Sequence, residues 1–430
     1  MNNKNQHLTQ DKFTDYALPA PLQAGINELG YEFCTPIQAK SLPVILNNQN
    51  IIGQASTGTG KTATFLIAVI NRLLTQTSHS KDATKLRALI LAPTRELAIQ
   101  INEEANALIR HCKLSTTLIY GGANYEKQQK SLRQGCDILI GTVGRVIDFY
   151  KQGLVNLKTV ETLVLDEADR MLDMGFIKDV RYILHKLPRP ENRLNLLFSA
   201  TINFKVKEFA YELMNDPEII SAEQEAGDVN IEQRAYSVAN SEKIPLLVSL
   251  LRSPDLSRAI VFANMKVTAE KITAFLQAND VSAQLISGDV PQKKRQKLVK
   301  DFGEGKFLAL VATDVAARGL HIDAVSHVFN YDLPQDPEDY VHRIGRTGRI
   351  GSTGHAISFI CESYAFYLPD IEDFVGYKIP MESVSSHMLA EIKPRAARKR
   401  TRNSTHQKQK KSSRHKHQRR KAKSQRSVQE

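Results

Sequence analysis

The sequence has little cysteine, no tryptophan and no long apolar run. Among its 430 residues, the longest apolar stretches, such as Phe65 to Ile70, are far too short to cross a bilayer. The N-terminal residues are polar and lack the apolar core of a signal peptide. The four cysteines have neither CxxC nor metal-ligand spacing; they are Cys34, Cys112, Cys136 and Cys361. These absences predict reduced thiols in a cytoplasmic protein with no membrane insertion.

Acidic residues are scarce only at the C-terminal end of the chain. The formal net charge is +12, but the segment from Lys393 to Glu430 alone has 16 lysines and arginines and one acidic residue. The remaining chain has 42 basic and 45 acidic residues and is close to neutral. Because the segment is also poor in apolar residues, burial cannot offset the entropy lost on ordering it. We expect residues 393–430 to be a disordered basic tail, either a solubilising terminus or an arm that binds polyanions.

Short uninterrupted apolar runs recur along the rest of the chain. Each ends abruptly in a polar, glycine-rich or acidic segment, which is typical of strands buried on both faces of a parallel sheet. The predicted strands are residues 51–52, 88–92, 138–140, 163–165, 196–198, 259–262, 308–312 and 327–329. Helical patterns at residues 96–111 and 267–278 lie between them, so the alternation predicts an α/β fold. Ligands of such sheets bind beyond the carboxyl ends of the strands, where the motifs of this chain are found.

A polar stretch divides these strands into two sets. We interpret residues 221–241 as a linker between a first domain, residues 1–220, and a second domain, residues 242–392. The two halves look like one architecture used twice, with different motifs at the strand ends.

A glycine-rich loop follows the first predicted strand and opens a helix. The backbone N–H groups of such a loop, together with the helix N-terminus, bind phosphate. The loop consists of Ala55, Ser56, Thr57, Gly58, Thr59, Gly60, Lys61 and Thr62. Lys61 is expected to reach the β and γ phosphates of a nucleotide, and the Thr62 hydroxyl to hold Mg²⁺. An ordinary glycine turn is the alternative, since so short a pattern also arises by chance.

Two adjacent carboxylates, Asp166 and Glu167, follow the predicted strand at residues 163–165. Asp166 can anchor Mg²⁺ directly or through water, and Glu167 can position and deprotonate an attacking water. A solvated turn would have the same composition. The phosphate loop, which we place on a neighbouring strand, favours a site that hydrolyses ATP.

The second half has no phosphate loop but carries three arginines separated by glycines, between His342 and Arg349. Glycine lets the chain approach a ligand closely, and arginine stabilises the charge on a transferring phosphoryl group. The simplest interpretation is one ATP bound in the cleft between the halves. Hydrolysis would then require the two domains to close. A solvated basic loop is the alternative.

These motifs resemble those of the DEAD-box helicases in content and in order, over about Phe13 to Ile379. The resemblance implies two tandem RecA-like domains, each a parallel sheet flanked by helices, and an ATPase stimulated by RNA. The segment Thr35-Pro36-Ile37-Gln38 resembles the Q motif. By that resemblance Gln38 would read the edge of the adenine, and Tyr31 would stack on its face.

The same resemblance assigns a set of residues to RNA. These residues would contact the RNA backbone without reading sequence, which suits segments of arginine, threonine and paired glycines. They are Pro93, Thr94, Arg95, Gly121, Gly122, Thr142, Gly144, Arg145, Gln292, Arg295 and Thr313.

The resemblance also assigns residues that link hydrolysis to unwinding. Ser199 and Thr201 would act through contacts with the segment Asp166 to Asp169, and Asp169 and His342 would belong to the same coupling. Arg346 and Arg349 would be the arginine fingers that reach the ATP from the second domain.

Three segments, residues 34–39, 318–322 and 327–334, look like the RhlB type, the helicase of the bacterial RNA degradosome. This likeness implies a role in RNA degradation, with endoribonuclease E and other degradosome components as partners. Several positions depart from the family pattern, and two of them bear on the expected ligand contacts. His321 stands where most of the family has the Asp expected to touch the ATP ribose, and Val143 replaces a usual proline beside the RNA.

Two classes of function use these motifs. One is a helicase that locally unwinds short RNA duplexes, and the other is an ATP-dependent RNA clamp or ribosome-assembly remodeller with little unwinding. A phosphoryl-transferring kinase is disfavoured, because a kinase has no use for a second α/β half that ends in an arginine-rich loop.

Overall fold

Two successive sets of strands build the protein. The computed structural model describes residues 8–55, 58–76, 86–222, 231–317, 325–348 and 353–394. The strands are β1 (Ile51–Gln54), β2 (Ala88–Ala92), β3 (Thr116–Ile119), β4 (Ile138–Thr142), β5 (Thr162–Leu165), β6 (Leu194–Ser199), β7 (Glu218–Ser221), β8 (Ile231–Ser237), β9 (Ala259–Phe262), β10 (Ala283–Ile286), β11 (Ala309–Ala312), β12 (His327–Asn330), β13 (Gly354–Ile360) and β14 (Met381–Ser383).

Helices connect most of the successive strands. They are α1 (Ala20–Glu28), α2 (Pro36–Leu46), α3 (Lys61–Thr75), α4 (Arg95–Leu108), α5 (Tyr125–Gln134), α6 (Val143–Lys151), α7 (Ala168–Asp173), α8 (Ile177–Leu184), α9 (Phe204–Leu213), α10 (Lys243–Leu251), α11 (Lys266–Ala278), α12 (Gln292–Gly303), α13 (Asp314–Ala317), α14 (Pro337–Ile344) and α15 (Leu368–Val375).

The first sheet has seven parallel strands in the order β3-β4-β2-β5-β6-β1-β7. The phosphate loop follows β1, and the segment from Asp166 to Asp169 follows β5. The prediction that these two strands are neighbours was wrong, because β6 lies between them. This intervening strand ends at Ser199, so it brings the Ser199-Ala200-Thr201 segment between the two motifs.

Strand β2 shows why the predicted strands are uninterrupted apolar runs. Ala88, Ile90 and Ala92 pack into the core on one face of the sheet, and Leu89 and Leu91 pack into the core on the other. Every residue of the strand is fully buried. Burying a leucine side chain stabilises the folded state by about 2–3 kcal/mol, so both faces of a covered strand are occupied by apolar residues.

The second sheet repeats this plan, with seven parallel strands in the order β10-β11-β9-β12-β13-β8-β14. The two sheets together confirm the predicted α/β fold with tandem RecA-like domains. All eight runs predicted as strands are strands of these sheets.

The predicted linker at residues 221–241 was too long. Ser221 is the last residue of β7 in the first sheet, and β8 (Ile231–Ser237) already belongs to the second sheet. Strand β8 escaped prediction because half-buried and exposed positions alternate along its first four residues. Three of those residues are Glu232, Gln233 and Arg234, so the strand shows no apolar run. The predicted basic tail lies outside the described residues, apart from Lys393 and Pro394.

Among the residues that the structure describes, no helix is both long enough and apolar enough to cross a membrane.

Candidate active site between the two domains

The phosphate loop leads directly from β1 into α3. Lys61, the first residue of α3, is buried, and its ammonium donates a hydrogen bond to the Ala55 carbonyl over 2.5 Å. Thr62 follows in the first turn of the helix and is half-buried. Ser56 and Thr57 lie outside the described residues, whereas Gly58, Thr59 and Gly60 complete the loop.

Gln38 fixes the phosphate loop to α2. Its side-chain Oε1 accepts a hydrogen bond from the Thr35 N–H over 2.8 Å, and its Nε2 donates to the Gly60 carbonyl over 3.2 Å. Gly60 has φ +93°, and an added Cβ would lie 2.5 Å from Gln38 Nε2, so glycine is required there. The Gln38 amide retains one N–H and one lone pair, which match a donor and acceptor pair on an adenine edge.

Tyr31 lies in the segment before α2 and makes a different contact. Its hydroxyl donates to Glu104 Oε1 over 3.3 Å, and its ring lies 6.2 Å from the Phe13 ring. Burial raises the pKa of both Tyr31 and Glu104. The contact with α4 holds the tyrosine ring, while Phe13 itself belongs to the core.

The carboxylates after β5 are nearly inaccessible to solvent. Asp166 and Glu167 are 2% and 7% exposed, and Asp166 Oδ1 accepts a hydrogen bond from the Glu167 N–H over 3.0 Å. Burial raises the pKa of Asp166 to about 7, against the opposing effect of the Lys61 ammonium. Glu167 has φ +53°, a conformation that costs a non-glycine residue about 1–3 kcal/mol and is concentrated at functional sites.

Asp169 joins three of the predicted coupling residues. Its Oδ2 accepts hydrogen bonds from the Ala200 N–H, the Thr201 N–H and the Thr201 hydroxyl, over 3.0, 3.0 and 3.2 Å. The Asp169 N–H donates to Ser199 Oγ over 3.3 Å. From the second domain, His342 Nε2 comes within 3.9 Å of the same Oδ2. Burial raises the pKa of Asp169, but His342, Lys61, Arg170 and the backbone donors together hold it below its usual value.

The arginine-rich loop begins at the end of α14, where Arg343 is 1% exposed. Its guanidinium donates to both oxygens of Asp314, each over 2.6 Å, and to Asn264 Oδ1 over 2.8 Å. Arg346 is buried in the turn that follows and lines a cleft together with His342 and with Arg170 of the first domain. Arg349 lies outside the described residues, as does His321.

The predicted RNA residues of the first domain follow three adjacent strands, β3, β4 and β2. Arg95 packs over Gly122, where an added Cβ would come within 2.3 Å of the guanidinium. Thr94 accepts a hydrogen bond from the Leu97 N–H over 3.4 Å and so caps α4. The remaining residues of this set are Pro93, which is buried, Gly121 and Thr142, which are half-buried, and Gly144, which is exposed.

Arg145, another member of this set, is held by two aromatic rings and a carboxylate. Its guanidinium lies 4.9 Å from the Tyr125 ring centroid and 5.3 Å from that of Phe149, and it pairs with Asp148 over 3.6 Å. Val143, which stands where the family usually has proline, is buried in the core as the first residue of α6.

In the second domain, Arg295 makes a contact that the sequence did not reveal. Its Nε lies 2.9 Å from Glu96 Oε1 of the first domain, and both side chains are 12% exposed. The structure thus uses Arg295, predicted to bind RNA, to join the domains. Thr313 follows β11 and is half-buried, and the side chain of Gln292 lies outside what the structure describes.

A further contact across the domains links Asn203 Nδ2 to Glu338 Oε1 over 2.8 Å. Together with the Glu96–Arg295 and Asp169–His342 contacts, it brings the carboxyl edges of the two sheets into one site. Sequence reasoning missed Glu96, Asn203 and Glu338, because a contact partner in another domain leaves no signal in local spacing. Among the described residues, no cluster of three or more His, Cys, Asp or Glu side chains forms a metal site.

Comparison with known families matches both domains. The DEAD/DEAH box helicase family matches residues 35–209, and the helicase conserved C-terminal domain matches residues 242–351. The ATP-dependent RNA helicase RhlB of Idiomarina loihiensis is 52% identical over 403 residues, which cover 93% of this chain and 95% of that protein. The protein of the same name from Vibrio vulnificus is 50% identical over 398 residues, 92% of this chain and 91% of that one.

Solved structures show the same fold. Dbp5 of S. cerevisiae bound to RNA and ADP-BeF3 is 32% identical with a TM-score of 0.76, over 87% of this chain and 95% of that one. The DEAD-box helicase Mss116 bound to single-stranded RNA and UDP-BeF is 27% identical with a TM-score of 0.78, over 89% of this chain and 82% of that one. The chain therefore belongs to the DEAD-box family of ATP-dependent RNA helicases, and within that family to the RhlB type.

Proposed function

We propose that this helicase hydrolyses ATP in the cleft between its domains and, while closed around one RNA strand, locally unwinds short RNA duplexes. The observation that carries the proposal is the group formed by Asp169, Thr201 and His342. Oδ2 of Asp169 accepts from the Thr201 N–H over 3.0 Å and lies 3.9 Å from His342 of the second domain. A shift of the arginine-rich loop would therefore move His342, which lies next to the Asp169 carboxylate.

ATP would be held mainly by the first domain. Lys61 is placed to reach the β and γ phosphates, and the loop of Ala55, Ser56, Thr57, Gly58, Thr59 and Gly60 to surround them with backbone N–H groups. Gln38 would use its remaining donor and acceptor on the adenine edge, and the Tyr31 ring would stack on the adenine face. Both contacts come from α2 and the segment before it, next to the loop.

Mg²⁺ fits the same site through two oxygen ligands. The Thr62 hydroxyl and the Asp166 carboxylate are the hard donors that this ion prefers. Asp166 is buried beside Lys61, in a position where a divalent cation would favour its ionised form. When bound, the ion would neutralise charge on the phosphates during transfer.

Hydrolysis would require groups from both domains. Glu167, 7% exposed, would position and deprotonate the attacking water. Arg346 and Arg349 would stabilise the charge that spreads over the transferring phosphoryl group. Because the fingers and Glu167 belong to different domains, the site is complete only when the domains are closed.

RNA would run along the carboxyl edges of both sheets. Arg95, Gly121, Gly122, Thr142, Gly144 and Arg145 would meet its backbone in the first domain, after Pro93 and Thr94, and Gln292, Arg295 and Thr313 in the second. Arg295 has five N–H donors, so its pairing with Glu96 leaves others for a phosphate.

The test of the hydrolytic site is Glu167→Gln, which keeps the size of the side chain and removes its basicity. RNA-stimulated phosphate release should fall by about 10²-fold or more, since general-base catalysis contributes about 10²–10⁴-fold. ATP binding, measured with a fluorescent analogue, should persist. The exposed Glu212→Gln is the matched control. Unchanged phosphate release in Glu167→Gln would remove Glu167 from this role.

Unwinding and clamping are separated by one paired measurement. Strand displacement from a short RNA duplex is measured beside the lifetime of the same protein on single-stranded RNA. A helicase displaces the strand within the time of a few ATP turnovers, whereas a clamp or ribosome-assembly remodeller holds RNA for long periods with little displacement.

The biological role we propose is RNA degradation in the cytoplasm, with endoribonuclease E and other degradosome components as partners. The likeness to RhlB proteins supports the role in RNA degradation. The four cysteines, which are all free thiols, support the cytoplasmic location. Purified full-length chain should retain endoribonuclease E from the same organism on an affinity column after ribonuclease treatment. Loss of retention after that treatment would indicate bridging by RNA and contradict a direct partnership.

A further inference from the structure

Lys243, the first residue of α10, is a buried lysine with no part in the site described so far. It is 2% exposed, and its ammonium lies 2.7 Å from Asp332 Oδ1, 4.1 Å from the Tyr331 ring centroid and 3.6 Å from Cys361 Sγ. A buried ammonium is unfavourable unless it is paired, and so is the buried carboxylate of Asp332, which is 3% exposed. The pair lies at the carboxyl edge of the second sheet, where Asp332 follows β12.

Asp332 connects the pair to the arginine-rich loop. Its other oxygen, Oδ2, accepts a hydrogen bond from the Asn264 N–H over 3.1 Å. Its backbone carbonyl accepts from Arg343 Nη1 over 2.6 Å. The circuit closes because Arg343 Nη2 also donates to Asn264 Oδ1 over 2.8 Å. Lys243 therefore pairs with a residue, Asp332, that is hydrogen-bonded to both Asn264 and Arg343.

Arg343 in turn sets the position of the residues at the cleft. It follows His342 directly, and its carbonyl accepts a hydrogen bond from the Arg346 N–H over 3.1 Å. The Arg346 carbonyl accepts a hydrogen bond from the Val325 N–H over 3.1 Å, which joins the turn to the residues just before β12. The backbone that carries His342 and Arg346 thus rests on the Arg343 guanidinium and its partners.

We propose that Lys243 is a positioning residue for ATP hydrolysis, which acts through Asp332 and Arg343 on the turn that carries Arg346. The inference rests on the proposed role of Arg346. The proposal makes different predictions for kcat and for the KM for ATP. The residues proposed to bind ATP belong to the first domain, so the loss of Lys243 should lower kcat and leave the KM for ATP nearly unchanged.

The first test is Lys243→Met in the full-length chain. RNA-stimulated kcat should fall about tenfold or more, because small displacements of catalytic groups cost large factors in rate, while the KM for ATP changes less than about twofold. Lys243→Met also leaves the Asp332 charge buried and unpaired, so its stability will drop. The double variant Lys243→Met/Asp332→Asn removes both charges and avoids that penalty.

The double variant separates positioning from stability. If Lys243 serves only folding, the double variant will be as stable and as fast as the wild type. If it positions the loop, the double variant will fold and yet remain about tenfold slow at an unchanged KM, since the ionic brace is still missing. A wild-type kcat in the folded double variant would overturn the proposal.

Arg87→Met is the matched control. Arg87 and Glu161 form another ion pair of low exposure, 9% and 19%, over 2.9 Å, at the amino end of β2 and far in sequence from the arginine-rich loop. Its loss should lower the melting temperature and leave kcat per folded molecule unchanged. An equal fall of kcat in Arg87→Met would show that any loss of a buried pair slows this enzyme, and would overturn the assignment to Lys243.

Arg346→Ala distinguishes failure of this inference from failure of the proposed function. An unchanged kcat in Arg346→Ala would remove the arginine from catalysis and with it the route proposed for Lys243. If Arg346→Ala is slow but the Lys243 variants are not, only the positioning role fails. In the Arg346→Ala background, Lys243→Met/Asp332→Asn should slow kcat by less than about twofold further, because both changes act on one group.

Discussion

A single carboxylate, Asp169, contacts two segments that are distant from it in sequence, residues 199–201 and His342. Its Oδ2 accepts from Ala200 N–H, Thr201 N–H and the Thr201 hydroxyl and lies near His342. An asparagine in this place has one acceptor oxygen and an amide that would face donors. These contacts therefore depend on the negative charge of Asp169 and not on the size of its side chain.

We predict that Asp169→Asn lowers the RNA-stimulated rate of ATP hydrolysis by about 10- to 100-fold, since hydrogen bonds to a charged group contribute about 1.5–3 kcal/mol each. ATP affinity should change little, because the phosphate loop is intact. Steady-state kinetics with saturating RNA measure both quantities. The exposed Asp179→Asn on α8 serves as the control. Equal rates for both variants would contradict the coupling role.

His327 is a residue-scale source of pH dependence away from the site. Its ring stacks 4.7 Å from that of His355, its Nδ1 lies 3.0 Å from Ser326 Oγ, and Asp255 is the nearby acidic group. Burial, with a smaller contribution from His355, lowers the pKa of His327 to about 4. Between pH 6.5 and 4 the unfolded chain therefore binds a proton that the folded chain does not, so stability falls as the pH falls through this window.

We predict that this histidine destabilises the protein by about 1–2 kcal/mol at pH 5 relative to pH 8. Urea unfolding of His327→Gln and wild type at both pH values measures the difference. The variant should lose less stability on acidification than the wild type. His387→Gln, at an exposed position, should behave like the wild type, and a parallel fall in all three proteins would exclude His327 as the cause.

At the scale of elements, the sequence identified the strands that are covered on both faces and missed those that are not. Edge strands such as β3, β7, β10 and β14 carry polar or exposed residues, so they show no apolar run. Strand β13 is buried but interrupted by His355 and Ser358. The motifs were recognisable because they depend on local order. The coupling of Asp169 to His342 was predicted from the family resemblance, but the Glu96–Arg295 and Asn203–Glu338 contacts between domains were not, since each joins residues more than a hundred positions apart.

Strand β1 contains a glycine, Gly53, that only its packing against the neighbouring strand explains. Gly53 is paired with Phe198 of β6, and an added Cβ would lie 2.6 Å from the Phe198 ring. That ring also packs 5.5 Å from the Phe65 ring of α3. The small residue makes room for an aromatic pair directly beneath the phosphate loop.

We predict that Gly53→Ala destabilises the protein by about 1–3 kcal/mol, the usual cost of overpacking a core. Urea unfolding measures the change. Gly53→Ala/Phe198→Leu should recover part of the loss, because leucine vacates the space that the new methyl group needs. No recovery in the double variant would mean that the glycine is required for its backbone and not for the ring.

At the scale of the whole molecule, charge is divided between a nearly neutral body and a basic C-terminal segment, residues 393–430. We predict that truncation before Lys393 lowers RNA affinity and flattens its dependence on salt, because each phosphate neutralised by lysine or arginine releases counterions. Filter binding from low to high salt measures the slope. ATP hydrolysis at saturating RNA should be preserved, and an unchanged slope would show that the segment does not bind RNA.

In the mechanism we propose, the body closes around ATP and RNA, and the Glu96–Arg295 pair is placed to stabilise that closed state. The two side chains are 2.9 Å apart, each 12% exposed, and Glu96 follows Arg95 of the proposed RNA face. A contact that exists only between closed domains contributes to the coupling between the two ligands and not to the affinity of either domain alone.

We predict that Arg295→Met weakens RNA binding about 5- to 30-fold in the presence of a non-hydrolysable ATP analogue, which corresponds to about 1–2 kcal/mol of coupling. Glu96→Gln, which leaves every RNA-facing arginine in place, should weaken it in the same way. Without nucleotide, where the domains need not close, Glu96→Gln should leave RNA affinity unchanged, and Arg295→Met should lose only the phosphate contact proposed for Arg295 itself. Lys266→Met removes a pair within the second domain, at an exposed side chain, and serves as the control. If Arg295→Met weakens RNA binding equally with and without nucleotide while Glu96→Gln has no effect, Arg295 acts on RNA alone and closure depends on the other contacts.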